Sequence, residues 1–190
     1  QLSREVVTSL KRRVDFAATL GARNILLGVG RVTEVEDPRR AWETSVASVR
    51  EVAEYCRGTG IVLAVEMEPF ESALVNDYDS LQAFLRDVDS PCCLANLDIA
   101  HCVLRGLKPE QVPDLGPFIT HVHLADCDGR THTEWTPGRG SVDFRAYFAA
   151  LARSGFAGGM SIELQPTAGA DELIREGIEH VRGLLEELGS

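Results

Sequence analysis

The sequence predicts a parallel α/β fold of the barrel type, on three observations. Segments that read as buried strands alternate with segments of helical periodicity, the pattern of strand, crossover and parallel strand. Four of the strands carry one continuous apolar face and one face that is small or polar. The second face closes each time on an ionisable group: Glu66, Asp98, His123 and Glu163. In ITHVHLAD, Ile119, His121 and His123 share one face while Thr120, Val122 and Leu124 share the other. The same alternation in IVLAVE, CLANLD and GMSIEL sets Val62, Ala64 and Glu66, then Leu94, Asn96 and Asp98, then Gly159, Ser161 and Glu163 on the inner side. Ligands of parallel sheets bind at the carboxyl ends of the strands, so four convergent side chains are the central expectation.

Each element has its own signal. From Ser3 to Leu20 the apolar residues Val6, Val7, Leu10, Val14 and Ala17 recur at helical spacing, and Gly21 stops the helix. NILLGV, 24–29, reads as a strand. Asp37 and Pro38 are a cap and a first helical residue, ahead of the stripe Trp42, Val46, Val49, Val52, Ala53 and Cys56. A strand over 61–66 leads into a helix from about Asp77 to Val88, then a strand over 93–98. The following stretch is irregular, with a short helix near Pro109 to Leu115. After the strand at 119–124 a long connection runs from Ala125 to Val142, well beyond the ~4 to 6 residues usual in a compact domain. Ordered loops of such length tend to be functional. Asp143 caps a helix ended by Gly155, a strand follows over 159–164, and a last helix runs from about Asp171 to Leu188.

Five strands with polar groups on the inner face favour a closed barrel over an open sheet. An eight-unit (β/α)8 TIM barrel takes about 250 residues. Residues 1–190 are therefore expected to be one domain, the C-terminal part of such a barrel (strands 4–8), with the N-terminal strands missing and an upstream segment allowed for by the start at Gln1. Open apolar edges would invite pairing, and a homo-oligomer fits this expectation.

Composition narrows the function. The formal charge is −10 and the pI about 5.0, with no basic run, which argues against nucleic acid and against a membrane surface as partner. No uncharged run approaches a membrane span, no signal peptide is visible, and five cysteines without a C-x-x-C pair fit neither a disulfide scaffold nor a zinc ribbon. A cytoplasmic protein acting on a small neutral or hydroxylated substrate is expected, its cysteines serving as core fillers.

Three carboxylates and one imidazole form a mostly oxygen donor set. One divalent ion is expected on Glu66, Asp98, His123 and Glu163, Mn²⁺ first, with Mg²⁺, Co²⁺ and Zn²⁺ as further candidates. Such an ion stabilises the enediolate formed when a proton leaves the carbon beside a carbonyl. For the epimerisation that the family resemblance described next implies, a base is needed on one face of that carbon and an acid on the other, and Glu66 and Glu163 are the candidates.

The segments VEMEPFESALVND, NLDIAHC, HVHLAD, TPGRGSVDF and MSIEL together resemble the xylose-isomerase-like TIM barrels, the sugar isomerase and epimerase superfamily that also includes endonuclease IV. Glu66 and DSPCCLANLDIAH are most similar to the ketose 3-epimerases. That resemblance implies a metal site of Glu66, Asp98, His123 and Glu163, with His101 contacting substrate. The sequence departs from the epimerase pattern at three places: Asp126 stands where a glutamate is usual, Arg130 is one residue off its spacing, and Glu71 aligns only through a gap.

Simpler roles stand beside these. Asp98 could cap the next helix, and Glu66 or Glu163 could sit on exposed loops. His121 reads as a hydrogen-bonded interior histidine and His180 as surface. His132 and Arg139, on the long loop, are the further substrate-binding candidates, against a solvated side chain and a turn decoration. The leading expectation is a metal-dependent isomerase or epimerase of a sugar or polyol ketone. The alternatives are a dehydratase of an inositol-derived ketone, an endonuclease-IV-like enzyme, disfavoured by the acidic charge, and an inactive or non-catalytic barrel fragment.

Overall fold

A computed structural model describes residues 2–32, 37–165 and 168–189. The chain forms two compact units, Gln1–Asn96 and Leu97–Ser190.

In the first unit, helix α1 (Leu2–Thr19) precedes strand β1 (Asn24–Leu27), α2 (Pro38–Cys56), β2 (Val62–Glu66), α3 (Tyr78–Val88) and β3 (Cys93–Asp98), whose last two residues enter the second unit. β1 pairs with β2 and β2 with β3, all parallel, in a register that sets Leu27 opposite Val65 and Glu66 opposite Asn96. The caps form as the sequence implies. Asp37 accepts the Arg39 N–H with Pro38 in the first turn, and Asp77 forms a capping box with Ser80. Val46, Val49, Val52, Ala53 and Cys56 of α2 are buried, as are Leu81, Phe84, Leu85 and Val88 of α3. A fully buried aliphatic side chain such as Val52 stabilises by about 1.5–3 kcal/mol relative to exposure. Trp42 joins the two helices twice, edge-on to Phe84 at 5.3 Å and by its indole N–H to Asp87 Oδ2 at 2.8 Å.

The second unit continues with α4 (Ile99–Leu104), α5 (Val112–Leu115) between two 3₁₀ turns, β4 (Ile119–Leu124), α6 (Phe144–Ser154), β5 (Gly159–Ile162) and α7 (Ala170–Glu187). β4 and β5 are parallel, with His123 opposite Ser161. Two differences from the sequence reading affect the site. α4, which the sequence reading left as irregular chain, starts directly after Asp98. β5 is shorter than 159–164, so Glu163 lies just past the ladder. β1 and β5 each pair with one strand among the described residues and leave Leu26 and Met160 partly exposed.

Candidate functional site

The second unit gathers three of the strand-end groups. Asp98 ends β3 and caps α4: its Oδ1 accepts the His101 backbone N–H at 2.8 Å, while Oδ2 is buried. This cap orients the carboxylate from a strand end and a helix start together. On β4 and β5 the register carries Glu163 alongside Leu124, whose carbonyl accepts the Glu163 N–H at 3.3 Å. His123 Nδ1 consequently approaches Glu163 Oε2 to 2.5 Å. Asp98, His123 and Glu163 each offer one donor atom, all within 4.8 Å of one another. The His123 imidazole, with smaller help from the charges of His101 and His132, holds the Glu163 carboxyl below the usual carboxylate range against the opposing effect of burial. The ionised form, the one that ligates a cation, is thereby favoured. Glu163 Oε2 is buried with the His123 ring nitrogen as its near neighbour, and a cation could be held between the two. Two carboxylates and an imidazole around such an atom fit a divalent ion.

In the first unit, Glu66 ends β2 with only 5% exposure. A buried carboxylate needs a polar partner. Asn96, opposite it on β3, donates from Nδ2 to Glu66 Oε1 at 2.6 Å. Sequence reading passed over Asn96 as a positioning group, although it precedes Asp98 by two residues on the same face.

The long loop after β4 is ordered by Asp126, another residue to which the sequence reading gave no role. Its Oδ1 accepts the N–H groups of Cys127 and Val142, and its Oδ2 those of Gly138 and Gly140, at 2.8–3.1 Å. The PGRG run wraps this carboxylate, and a Cβ on Gly140 would stand 2.2 Å from Asp126 Oδ1. His132 lies on this loop, with Nε2 2.8 Å from His101 Nε2 and 3.1 Å from Glu134 Oε1. Glu134 was not singled out in the sequence, because a loop has no period to reveal it. Arg139 forms a two-pronged ion pair with Glu176 of α7 at 2.7 and 2.8 Å. His121 is half-buried rather than interior and meets Ser161 Oγ at 2.8 Å, and His180 is exposed. All five cysteines are free thiols, four of them buried.

The model of the family described as xylose isomerase-like TIM barrel matches residues 2–184. The chain belongs to that family. This xylose isomerase-like TIM barrel is 25% identical over 190 residues to the fructoselysine 3-epimerase of Shigella flexneri, covering 98% of this chain and 69% of that protein. It is 31% identical over 168 residues to the L-ribulose 3-epimerase of Mesorhizobium japonicum, covering 83% of this chain and 53% of that one. Among solved structures it superposes on the IolI protein, crystallised with a zinc atom, with a TM-score of 0.84 at 22% identity, over 97% of this chain and 70% of that one. It superposes on a D-allulose 3-epimerase from Methylomonas sp. in complex with D-allulose with a TM-score of 0.80 at 20% identity, over 93% and 68%. These two structures share the fold of the xylose isomerase-like barrels, whose strand ends carry the reactive groups. Among the described residues no helix is long and apolar enough to cross a membrane.

Proposed function

We propose that this chain carries the metal and proton-transfer centre of a sugar isomerase or epimerase acting on a small ketose or polyol ketone. The observation that carries the reading is the convergence of Asp98, His123 and Glu163 at strand ends, with the Glu163 carboxyl held toward its ionised form. Glu66 is the fourth ligand in this reading. It is supported by its position as the last residue of β2 and by the Asn96 amide that orients it.

A divalent ion bound there, Mn²⁺ first among candidates, would stabilise the negative charge that develops on substrate oxygen. Glu66 and Glu163 would take and return the proton at the carbon beside the carbonyl, one carboxylate to each face. His101 and His132 would hold substrate hydroxyls, and Arg139 would act at the outer rim if released from Glu176. The curated relatives named above support the 3-epimerase form of this chemistry. They are longer than this chain, so the finer assignment rests on the proposed strand 4–8 correspondence.

The test is to incubate the Mn²⁺-loaded chain with ketoses in deuterium oxide. Epimer formation with deuterium incorporated at the reacting carbon, abolished in Glu66→Gln and Glu163→Gln, is expected. Product lighter by one water would identify a dehydratase instead. No turnover by a chain that binds metal would favour the non-catalytic reading.

A further inference from the structure

One aromatic side chain of the second unit is exposed on a backbone that is held from every side. Trp135 keeps 40% of its surface accessible, yet its N–H and C=O both bond Asp126 at 2.8 Å. Asp126 is in turn gripped by four loop amides. The Glu134 carbonyl, one residue earlier, accepts the Gln165 N–H at 3.4 Å, which ties the loop to the chain after β5. One residue later Thr136 is buried, and α7 packs so closely here that a Cβ at Gly177 would stand 3.3 Å from Thr136 Cγ2 and 3.0 Å from Pro137 Cδ. Glu134 enters this pairing with φ 42, a left-handed conformation that side-chain-bearing residues adopt at a cost. The indole is thus presented by a fixed scaffold and not by a loose loop.

Trp135 borders a cavity of about 450 Å³, inside the roughly 300–1,000 Å³ usual for small-molecule sites. Leu164 and Leu173 join the indole as an apolar side, while Thr133, Glu134 and Gln165 supply polar groups. Charge decides between ligand classes. The cation of the lining, Arg139, is already held by both oxygens of Glu176, and Glu134 adds a negative charge. A phosphate or carboxylate would meet repulsion there. A neutral sugar ring, with a face of C–H groups and a rim of hydroxyls, matches both sides of the lining. The cavity also adjoins the groups assigned to the ketose: Glu134 Oε1 is 3.1 Å from His132 Nε2, and Leu164 directly follows Glu163.

We propose that this cavity is a subsite for a neutral glycosyl group carried by the substrate, with Trp135 as its stacking platform. The substrate class is then a glycosylated ketose, in preference to a free or phosphorylated one. The inference rests on the isomerase or epimerase reading and narrows what it acts on.

Three ketoses that differ only at O6 test this with the Mn²⁺-loaded chain: fructose, fructose 6-phosphate and isomaltulose, which carries a glucosyl group there. Calorimetry reads binding, and deuterium exchange in the same samples reads reaction. Isomaltulose should bind about tenfold more tightly than fructose, and fructose 6-phosphate no more tightly than fructose. Trp135→Ala should bring isomaltulose and fructose to within about twofold of each other, and Trp135→Phe should restore most of the difference, with Mn²⁺ binding at wild-type strength in both. Should Trp135→Ala lose its native circular dichroism, Gln165→Ala, which keeps the backbone bond to Glu134, must weaken isomaltulose relative to fructose by about threefold or more. Isomaltulose bound no better than fructose, a preference that survives in Trp135→Ala, or tightest binding of fructose 6-phosphate overturns the subsite; deuterium exchange into fructose then leaves the isomerase reading standing. Trp135-dependent binding of isomaltulose without exchange into any ketose supports the glycosyl subsite and overturns the isomerase reading. No binding of any of the three overturns both.

Discussion

Replacing Asp126 removes the group around which the whole loop from Cys127 to Val142 is wound. Its two oxygens accept four backbone N–H groups, and the side chain is 1% exposed. A hydrogen bond to a charged acceptor contributes about 1.5–3 kcal/mol, and a donor left buried without a partner costs about 1–3 kcal/mol. Gly138 and Gly140 are exposed enough for water to replace part of the loss, whereas Cys127 is fully buried. Asp126→Ala should therefore destabilise by about 3–5 kcal/mol, equivalent to a fall of roughly 6–20 °C in Tm for a chain of this size. Asp126→Asn separates hydrogen bonding from shape. Because both oxygens accept, either orientation of the amide turns an NH₂ toward two N–H donors. The asparagine should cost on the order of 2–4 kcal/mol, and amide exchange should accelerate either at Gly138 and Gly140 or at Cys127 and Val142, but not at both pairs equally. Urea unfolding monitored by circular dichroism measures the first quantity and hydrogen exchange the second. An asparagine variant within about 0.5 kcal/mol of wild type, with unchanged exchange at all four positions, would refute the wound-loop reasoning.

Gly140→Ala should destabilise by about 1–3 kcal/mol, because its methyl would press on Asp126 Oδ1 and the Cys127 carbonyl; chemical unfolding checks this, and a neutral result would contradict the close approach. Burial pushes the Cys93 thiol up to about 12 and the Cys56 thiol to about 11 from an ordinary value of 9.0. The folded state holds the neutral thiols, so this contribution is complete below pH 9 and is lost as pH rises toward 11–12, by up to about 1.4 kcal/mol per pH unit for Cys93. Stability measured from pH 8 to 11 should fall in that window, less steeply in Cys93→Ala, and iodoacetamide should label neither thiol in the native chain at pH 8. Arg139→Ala removes an exposed pair with Glu176 and should leave Tm nearly unchanged. A rise in KM with unaltered kcat would place Arg139 against substrate, while unaltered kinetics would leave it as a surface tie between loop and helix.

The parts of this molecule that repeat with a period were readable in the sequence. β3 and β4 occupy 93–98 and 119–124 as alternation implies, and Asp98 and His123 sit where that alternation ends. α4 was readable only through its cap: it has six residues, too few to display a stripe, but Asp98, the strand's own last residue, is the cap that the sequence offered. Glu163 was identified although β5 stops one residue earlier, because the chain stays extended long enough to hydrogen-bond Leu124. The polar scaffold was harder to read. Asn96 holds Glu66 through a neighbouring strand, and Asp126 gathers N–H groups up to 16 residues away, so neither leaves a local pattern. Glu134 owes its place to a left-handed backbone that composition does not announce. His132 was singled out for its residue type and loop, but its pairing with His101 required coordinates.

The most direct test of the metal-centre account is Mn²⁺ affinity of the metal-stripped chain, measured by calorimetry and electron paramagnetic resonance, beside Glu163→Gln and Asp98→Asn. One tight equivalent in the wild type, weakened at least 100-fold in both variants while circular dichroism stays native, is the expected result. Native chain that takes up no Mn²⁺, or binds it equally well in all three proteins, would contradict a metal centre at Asp98, His123 and Glu163.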